Sequence, residues 1–197
     1  MMLAPFETCL RDGAPVLIRE IGPDDAALLR LGFDHLSEES RRFRFFGAIR
    51  ALSDEQVAAF TSPGDRNHVA LGAAIPRGAT LDPAGTARYV RLPARPGAAE
   101  FALTIVDRHQ RRGLGSLLFG TLVAVARANA VARLVGYVMR DNDAMLALMA
   151  AMGARHDPGP DRGVYQVTLE TGRPMPDTPA GRAARGAAAA ARFAAAP

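Results

Sequence analysis

The sequence predicts an α/β or α+β protein, a mixed sheet flanked by helices, and three observations carry that prediction. Stretches of strand character alternate with stretches of helical period along residues 15–170. Three strands follow one another, "HVALGAAI" (68–75), "TARYVRL" (86–92) and "EFALTIV" (100–106), with Gly/Pro turns between them, which reads as a meander. A strand, a long helix and a further strand then succeed each other over residues 100–139.

Taken in order, "PVLIREIG" (15–22) is a first strand, stopped by Gly22. "PDDAALLRLGFDHLS" is a helix opening on Pro23 with Asp24 and Asp25 in its first turn, where a missing donor and the positive dipole end suit them. "EESRRFRFFG" is short and rich in Arg and Phe; as a helix it would alternate core Phe with solvated Arg. In "LSDEQVAAF" (52–60), Ser53 and Gln56 have the spacing of a capping box. A helix from about Leu114 to Ala130 carries Leu114, Leu117, Leu118, Leu122 and Val125 as an apolar stripe. "RLVGYVM" (133–139) is a strand, "DAMLALMAAMG" (143–153) a helix stopped by Gly153, and "VYQVTLE" (164–170) a last strand. From Thr171 onward the chain is low-complexity Ala, Arg, Pro and Gly. The expectation is one domain over residues 1–170 and a disordered tail over 171–197 that supplies no core, with at most a transient helix near 187–195.

Composition narrows the function classes. A chain of 197 residues suffices for one domain with a real core. All 24 basic side chains are arginine, which, with the abundant Ala, Gly and Pro, reads as a GC-rich coding bias. Four arginines against Asp177 put most of the +4 net charge on 171–197, so the rest is close to neutral and a nucleic-acid partner is not expected. Cys9 is alone, which excludes an internal disulfide. Glu7 interrupts the amino end before a signal-peptide core develops, and no apolar run approaches the ~18 residues of a membrane span. These features predict a cytoplasmic protein with no membrane partner. His35, His68, His109 and His156 lack ligand spacing, so no metal is expected.

The stretch with chemistry in it is "DRHQRRGLGSLLFG" (107–120). It follows a strand and opens a helix whose first-turn N–H groups and dipole favour an anion. Gly113 and Gly115 remove side chains that would block close approach, and Arg111 and Arg112 add charge, so the bend suits a phosphate or pyrophosphate. It is not a P-loop, because no Gly-Lys-Ser/Thr follows. A dinucleotide fingerprint fits poorly: Gly120 is out of register, and "RLVGYVM" carries no acid.

Gln110-Arg111-Arg112-Gly113-Leu114-Gly115 matches Q/R-x-x-G-x-G/A, the coenzyme A pyrophosphate signature of the GNAT acetyltransferases. "NDAMLALMAAMGA", beginning 32 residues beyond Gln110, resembles that family's N-x-x-A/M segment, in which Asn142 faces the coenzyme; Asn142 also suits a helix cap. Upstream, "VLIREIGPDDAALLRLGFDHLSEESRRFRFFG" and "LSDEQVAAFT" resemble the acetyltransferase domain of Pat-type protein-lysine acetyltransferases, a likeness spanning roughly residues 16–153. The resemblance implies the GNAT fold, with a mostly antiparallel sheet, and an acetyl-CoA cosubstrate. It implies coenzyme contacts from Leu103, Thr104, Ile105, Gln110, Arg111, Arg112, Gly113, Leu114, Gly115, Ser116 and Asn142. It further implies an amine acceptor, favoured to be a protein lysine, for instance on an acyl-CoA synthetase.

Glu100 is the candidate general base. In "AEFALTIV", alternation sets Glu100, Ala102 and Thr104 opposite Phe101, Leu103 and Ile105, leaving room beside the carboxylate. The resemblance agrees, since Pat-type enzymes carry a glutamate ten residues before the signature glutamine. Two departures stand out. Where many members have a tyrosine seven residues after the asparagine, this chain has Met149, so no catalytic acid is assigned. Pat-type proteins also carry a further regulatory domain, for which the chain leaves no room. Small-molecule amine acetylation, or silent coenzyme A binding by a sensor or adaptor, stay open as alternatives.

Overall fold

The computed structural model describes residues 2–61 and 66–194. Eight strands form one sheet in the order β2-β3-β4-β5-β6-β7-β9-β8. They are β2 (Phe6–Cys9), β3 (Pro15–Glu20), β4 (His68–Arg77), β5 (Thr80–Arg91), β6 (Ala98–Ile105), β7 (Arg133–Met139), β8 (Arg155–Pro158) and β9 (Val164–Glu170). Every neighbouring pair is antiparallel except β6–β7. A separate antiparallel pair joins β1 (Met2–Ala4) to β10 (Arg192–Ala194). The predicted meander is β4–β5–β6, and the strand–helix–strand unit is β6–α4–β7, with α4 spanning Leu114–Ala128. The expected fold class holds: a mixed, mostly antiparallel sheet with helices on both faces.

One face carries α4, α5 (Asp143–Ala151) and α6 (Pro179–Ala190), and the main core lies there. Leu118, Phe119 and Leu122 of α4 are fully buried against Ala87 and Tyr89 of β5 and Phe101 and Leu103 of β6. On the other face, α1 (Ala26–Asp34), α2 (Glu38–Phe45) and α3 (Asp54–Thr61) enclose a smaller cluster of Phe33, Leu36, Leu52, Val57 and Val106. The capping box of α3 is reciprocal: Gln56 N–H donates to Ser53 Oγ (3.1 Å), and Ser53 N–H donates to Gln56 Oε1 (2.9 Å). Among the described residues no helix is long and apolar enough to cross a membrane.

The sheet opens in the middle. β6 pairs with β7 only from Ala98–Arg133 to Glu100–Val135, and the two strands part beyond. Phe101 fills the wedge on the core side, 5.0 Å from the Phe119 ring. A side chain at Gly136 of β7 would begin 2.6 Å from the Phe101 ring, so the ring occupies that space because position 136 is glycine.

The expectation of a disordered, coreless tail is corrected. Thr178 caps α6 by accepting from Gly181 N–H (2.9 Å), and Pro179 follows at the first turn. Gly181, Ala184 and Ala187 form a stripe of small residues, and Ala184 and Ala187 are buried in the main core. They approach α4 so closely that a Cβ on Gly120 would sit 2.5 Å from Ala184 Cα. An alanine-rich segment has little apolar surface per residue, yet small side chains permit close helix contact, and composition alone conceals that. The helix also lies earlier than the 187–195 expected; residues 195–197 are outside the described residues.

Candidate functional site

The bend between β6 and α4 has an unusual backbone. Arg111 (φ 59°) and Gly113 (φ 89°) both lie in the left-handed region. Among the described residues the N–H groups of 111 to 115 donate to no backbone carbonyl, whereas Ser116 N–H (3.1 Å) and Leu117 N–H (3.2 Å) bond to the Gly113 carbonyl. Five amides and the positive end of a 15-residue helix therefore meet at one place. Arg11, from the β2–β3 turn, lies over Gly113: its Cγ is 3.1 Å and its Nε 3.2 Å from where a Cβ would stand. The Arg11 N–H donates to the Arg112 carbonyl (3.1 Å), tying the hairpin to the bend.

The predicted residues divide here. Arg111 is exposed and forms no ion pair among the described residues. Arg112 is engaged: its Nε donates to Asp12 (2.6 Å), and Nη1 lies 3.0 Å from His109 Nδ1. Its ion pair holds the Asp12 carboxyl below its usual range. Leu114 is a core residue, and Ser116 is buried with its N–H already bonded, so those two side chains build the helix rather than face a ligand. A Cβ on Gly115 would meet Leu148 (3.2 Å) and Ile105 (3.8 Å), so the missing side chain keeps open the gap between the end of β6 and α5. Asn142 caps α5, its Oδ1 accepting from Met145 N–H (3.1 Å). Met149 lies in the core, 1% exposed, so its position is closed as well as lacking an acid.

Along β6 the alternation is as read. Phe101 and Leu103 are buried in the main core, while exposed Glu100 and half-buried Ala102 and Thr104 face the α1–α3 side. Leu92 N–H donates to the Ala98 carbonyl (3.0 Å) and Val106 N–H to the Ala84 carbonyl (2.9 Å). Even-numbered residues of β6 thus direct their main chain to β5, and odd-numbered ones direct it away. Leu103 and Ile105 therefore present main-chain groups at the edge that β7 has left, and the Gln110 side-chain amide donates to the Ile105 carbonyl (3.1 Å). The Thr104 main chain faces β5, and its buried Oγ1 has no hydrogen-bond partner.

Helix α2 spans this opening. On one side Asp107 accepts from Ser37 N–H (2.9 Å), Ser37 Oγ (2.7 Å) and Ser40 Oγ (2.9 Å). Burial pulls its pKa up, but those three hydrogen bonds outweigh it and hold the carboxyl low. On the other side Arg42 pairs with Asp141 in the β7–α5 loop (2.7 Å). Arg41 is also engaged, stacking 4.5 Å from the centre of the Phe33 ring and donating to the Asp34 carbonyl (3.2 Å). Arg44 corrects the expectation of solvated arginines. It turns inward between the rings of Phe45 (4.9 Å) and Phe60 (5.5 Å), and Arg88 of β5 stacks on Phe60 at 4.4 Å. Burial, then the charge of Arg88, brings the Arg44 pKa down to about 10, with Glu100 acting the other way. Both arginines line a cleft between α1–α3 and the sheet.

Sequence reasoning did not find Arg11, which comes from a turn about a hundred residues away, or Arg44. Arg88 was legible in principle: two residues from Val90, the partner of Glu100, it shares that carboxylate's face. Among the described residues no three His, Cys, Asp or Glu side chains gather as a metal set.

Comparison with known proteins agrees with this geometry. Residues 34–154 match the acetyltransferase (GNAT) family. The chain is 31% identical over 152 residues to acetyltransferase PA5475 of Pseudomonas aeruginosa, covering 77% of this chain and 81% of that one. It is 28% identical over 152 residues to acetyltransferase Pat of Mycolicibacterium smegmatis, again covering 77% of this chain but only 45% of that protein. The crystal structure of the GNAT domain of S. lividans PAT superposes with a TM-score of 0.77 at 30% identity, covering 84% of this chain and 96% of that one. The open sheet, the glycine bend and a family match over more than half the chain lead to one assignment: the protein belongs to the acetyltransferase (GNAT) family and is an acetyltransferase.

Proposed function

We propose that the protein moves the acetyl group of acetyl-CoA to an amine, favouring a protein lysine, with Glu100 as general base. The observation that carries this is the row of five amides at residues 111–115 that donate to no carbonyl among the described residues, flanked by Arg11 and Arg111, beside a strand edge left free by the parting of β6 and β7. Such a row is suited to a diphosphate, and the free edge to an amide-bearing arm. Of the residues expected to hold the coenzyme, the main chains of Arg111, Arg112, Gly113, Leu114 and Gly115 fit the diphosphate, and those of Leu103 and Ile105 fit the arm. Gln110 and Asn142 fix the bend and α5 in place.

Acetyl-CoA supplies an already activated thioester. What the chain must provide is a neutral amine and a home for negative charge. A lysine amine of pKa about 10.4 is neutral in roughly one molecule per thousand near pH 7.4, a cost of about 4 kcal/mol. Glu100, at the point where the strands part, takes that proton directly or through one water. An N–H at the free edge, from Leu103 or Ile105, stabilises the developing oxyanion. With Met149 buried, the sulfur leaves as thiolate, which a thiol pKa of about 8.5 permits.

The protein acceptor is supported by the likeness to the Pat relatives. A small amine is the second reading, favoured by an apolar cleft with two arginines below α1–α3. Labelled acetyl-CoA offered with folded proteins, polyamines and amino-acid amides separates them. Label on protein lysines supports the first reading, label on small amines alone the second, and no label on any acceptor defeats both.

A further inference from the structure

Arg44 and Arg88 are the two charged side chains of the cleft that the reaction above does not use. Among the described residues neither makes a hydrogen bond or an ion pair within 4.0 Å. Their faces are covered by Phe45 and Phe60, and among the described residues the carboxylate of Glu100 opposes their mutual repulsion. Two guanidinium groups hold ten N–H donors, and these half-buried ones, free of protein acceptors, are available to a ligand that supplies them. The buried, unpartnered hydroxyl of Thr104 lines the same cleft.

The register sets a distance. Arg88 stands opposite Ala102, and Glu100 is the next residue of β6 on that face, opposite Val90. Diagonal neighbours of this kind are about 7–8 Å apart, within reach of long side chains. An amine delivered to Glu100 would therefore have the arginine pair roughly that far along the same molecule. The pair repels a second cation there and attracts an anion, and two planar forks match a carboxylate.

We propose that Arg44 and Arg88 form a carboxylate subsite for the acceptor, so that the enzyme selects amines bearing a carboxylate about 7–8 Å away. That carboxylate is either the end group of a free amino acid or an acidic side chain beside a target lysine. The proposal rests on the assignment of the acceptor to Glu100, and its test is arranged to fail separately from that assignment.

The test uses the full chain with 6-aminohexanoate, its amide, and two lysine peptides that differ only by Glu or Gln beside the lysine. The acid should exceed its matched amide in kcat/KM by about 10–100-fold in at least one pair, and the pair concerned tells which source is used. R44M and R88M should each bring that ratio towards one, and R88K should retain part of it because the charge remains. Calorimetric titration with glutarate reads the subsite without turnover: wild type should give heat that R44M and R88M lose. Glutarate binding lost in the variants, together with no transfer to any amine, supports the subsite while defeating the proposed reaction. Equal treatment of acids and amides with no glutarate heat overturns the subsite, as does a variant effect confined to carboxylate-bearing acyl donors such as succinyl-CoA.

Discussion

Replacing Gly113 by alanine, with Gly115→Ala beside it, separates backbone geometry from mere bulk. At Gly113 the backbone lies at φ 89°, which costs an alanine about 1–2 kcal/mol. The new Cβ would also stand 3.1 Å from Arg11 Cγ, which a flexible arginine relieves by swinging aside. At Gly115 φ is ordinary, the nearest neighbour is the end of Leu148 at 3.2 Å, and alanine is the better helix former by up to about 1 kcal/mol. Gly113→Ala should therefore lower Tm by about 3–6 °C, whereas Gly115→Ala should stay within about 1–2 °C of wild type or exceed it. Acetyl-CoA affinity should fall at least about tenfold in Gly113→Ala, because the five amides lose their common aim. Thermal melts and calorimetric titrations measure the two effects. Equal melting of the two variants, or unchanged affinity in Gly113→Ala, would refute the argument from backbone conformation.

Glu100→Gln should keep coenzyme affinity and lose about 10²–10⁴ in turnover; a rate near wild type removes this residue from the reaction. Gly120→Leu should cost about 1–3 kcal/mol and expose residues beyond Thr171 to protease, because Ala184 main-chain atoms stand 2.5–2.6 Å from the new Cβ; an unchanged melt means α6 is not packed there. His109 gives a pH signature. Burial lowers its pKa below 6.5, aided by Arg108 and Arg112 and opposed by Asp82. The unfolded chain then gains its proton at higher pH than the folded one, so stability is complete above pH 6.5 and falls as pH drops below it. His109→Gln should flatten the denaturation free energy between about pH 5 and 7, and a wild-type curve already flat there contradicts the burial argument.

Much of the fold was legible because strand alternation and helix period are local properties. The β4–β6 meander, the face of Glu100 and the start of α4 at Gly113–Leu114 all follow from them. Strand β2 was too short to signal itself, and the exposed β8 carries Arg155, His156 and Asp157 with no apolar alternation. Helix α6 was hidden because its burial depends on Gly120 of a distant helix. The site divides in the same way. The glycine bend is local, so it was read, but the engagement of Arg112 by Asp12 and the approach of Arg11 arise from a hairpin about a hundred residues away. The inward turn of Arg44 depends on Phe60 and Arg88, which only the packing of α2 and α3 on β5 brings together.

Titrating the purified chain with acetyl-CoA by calorimetry tests the central claim most directly. Heat corresponding to one site per chain is expected, kept in Glu100→Gln and weakened at least about tenfold in Gly113→Ala. No heat from well-folded protein, or binding indifferent to Gly113, contradicts it.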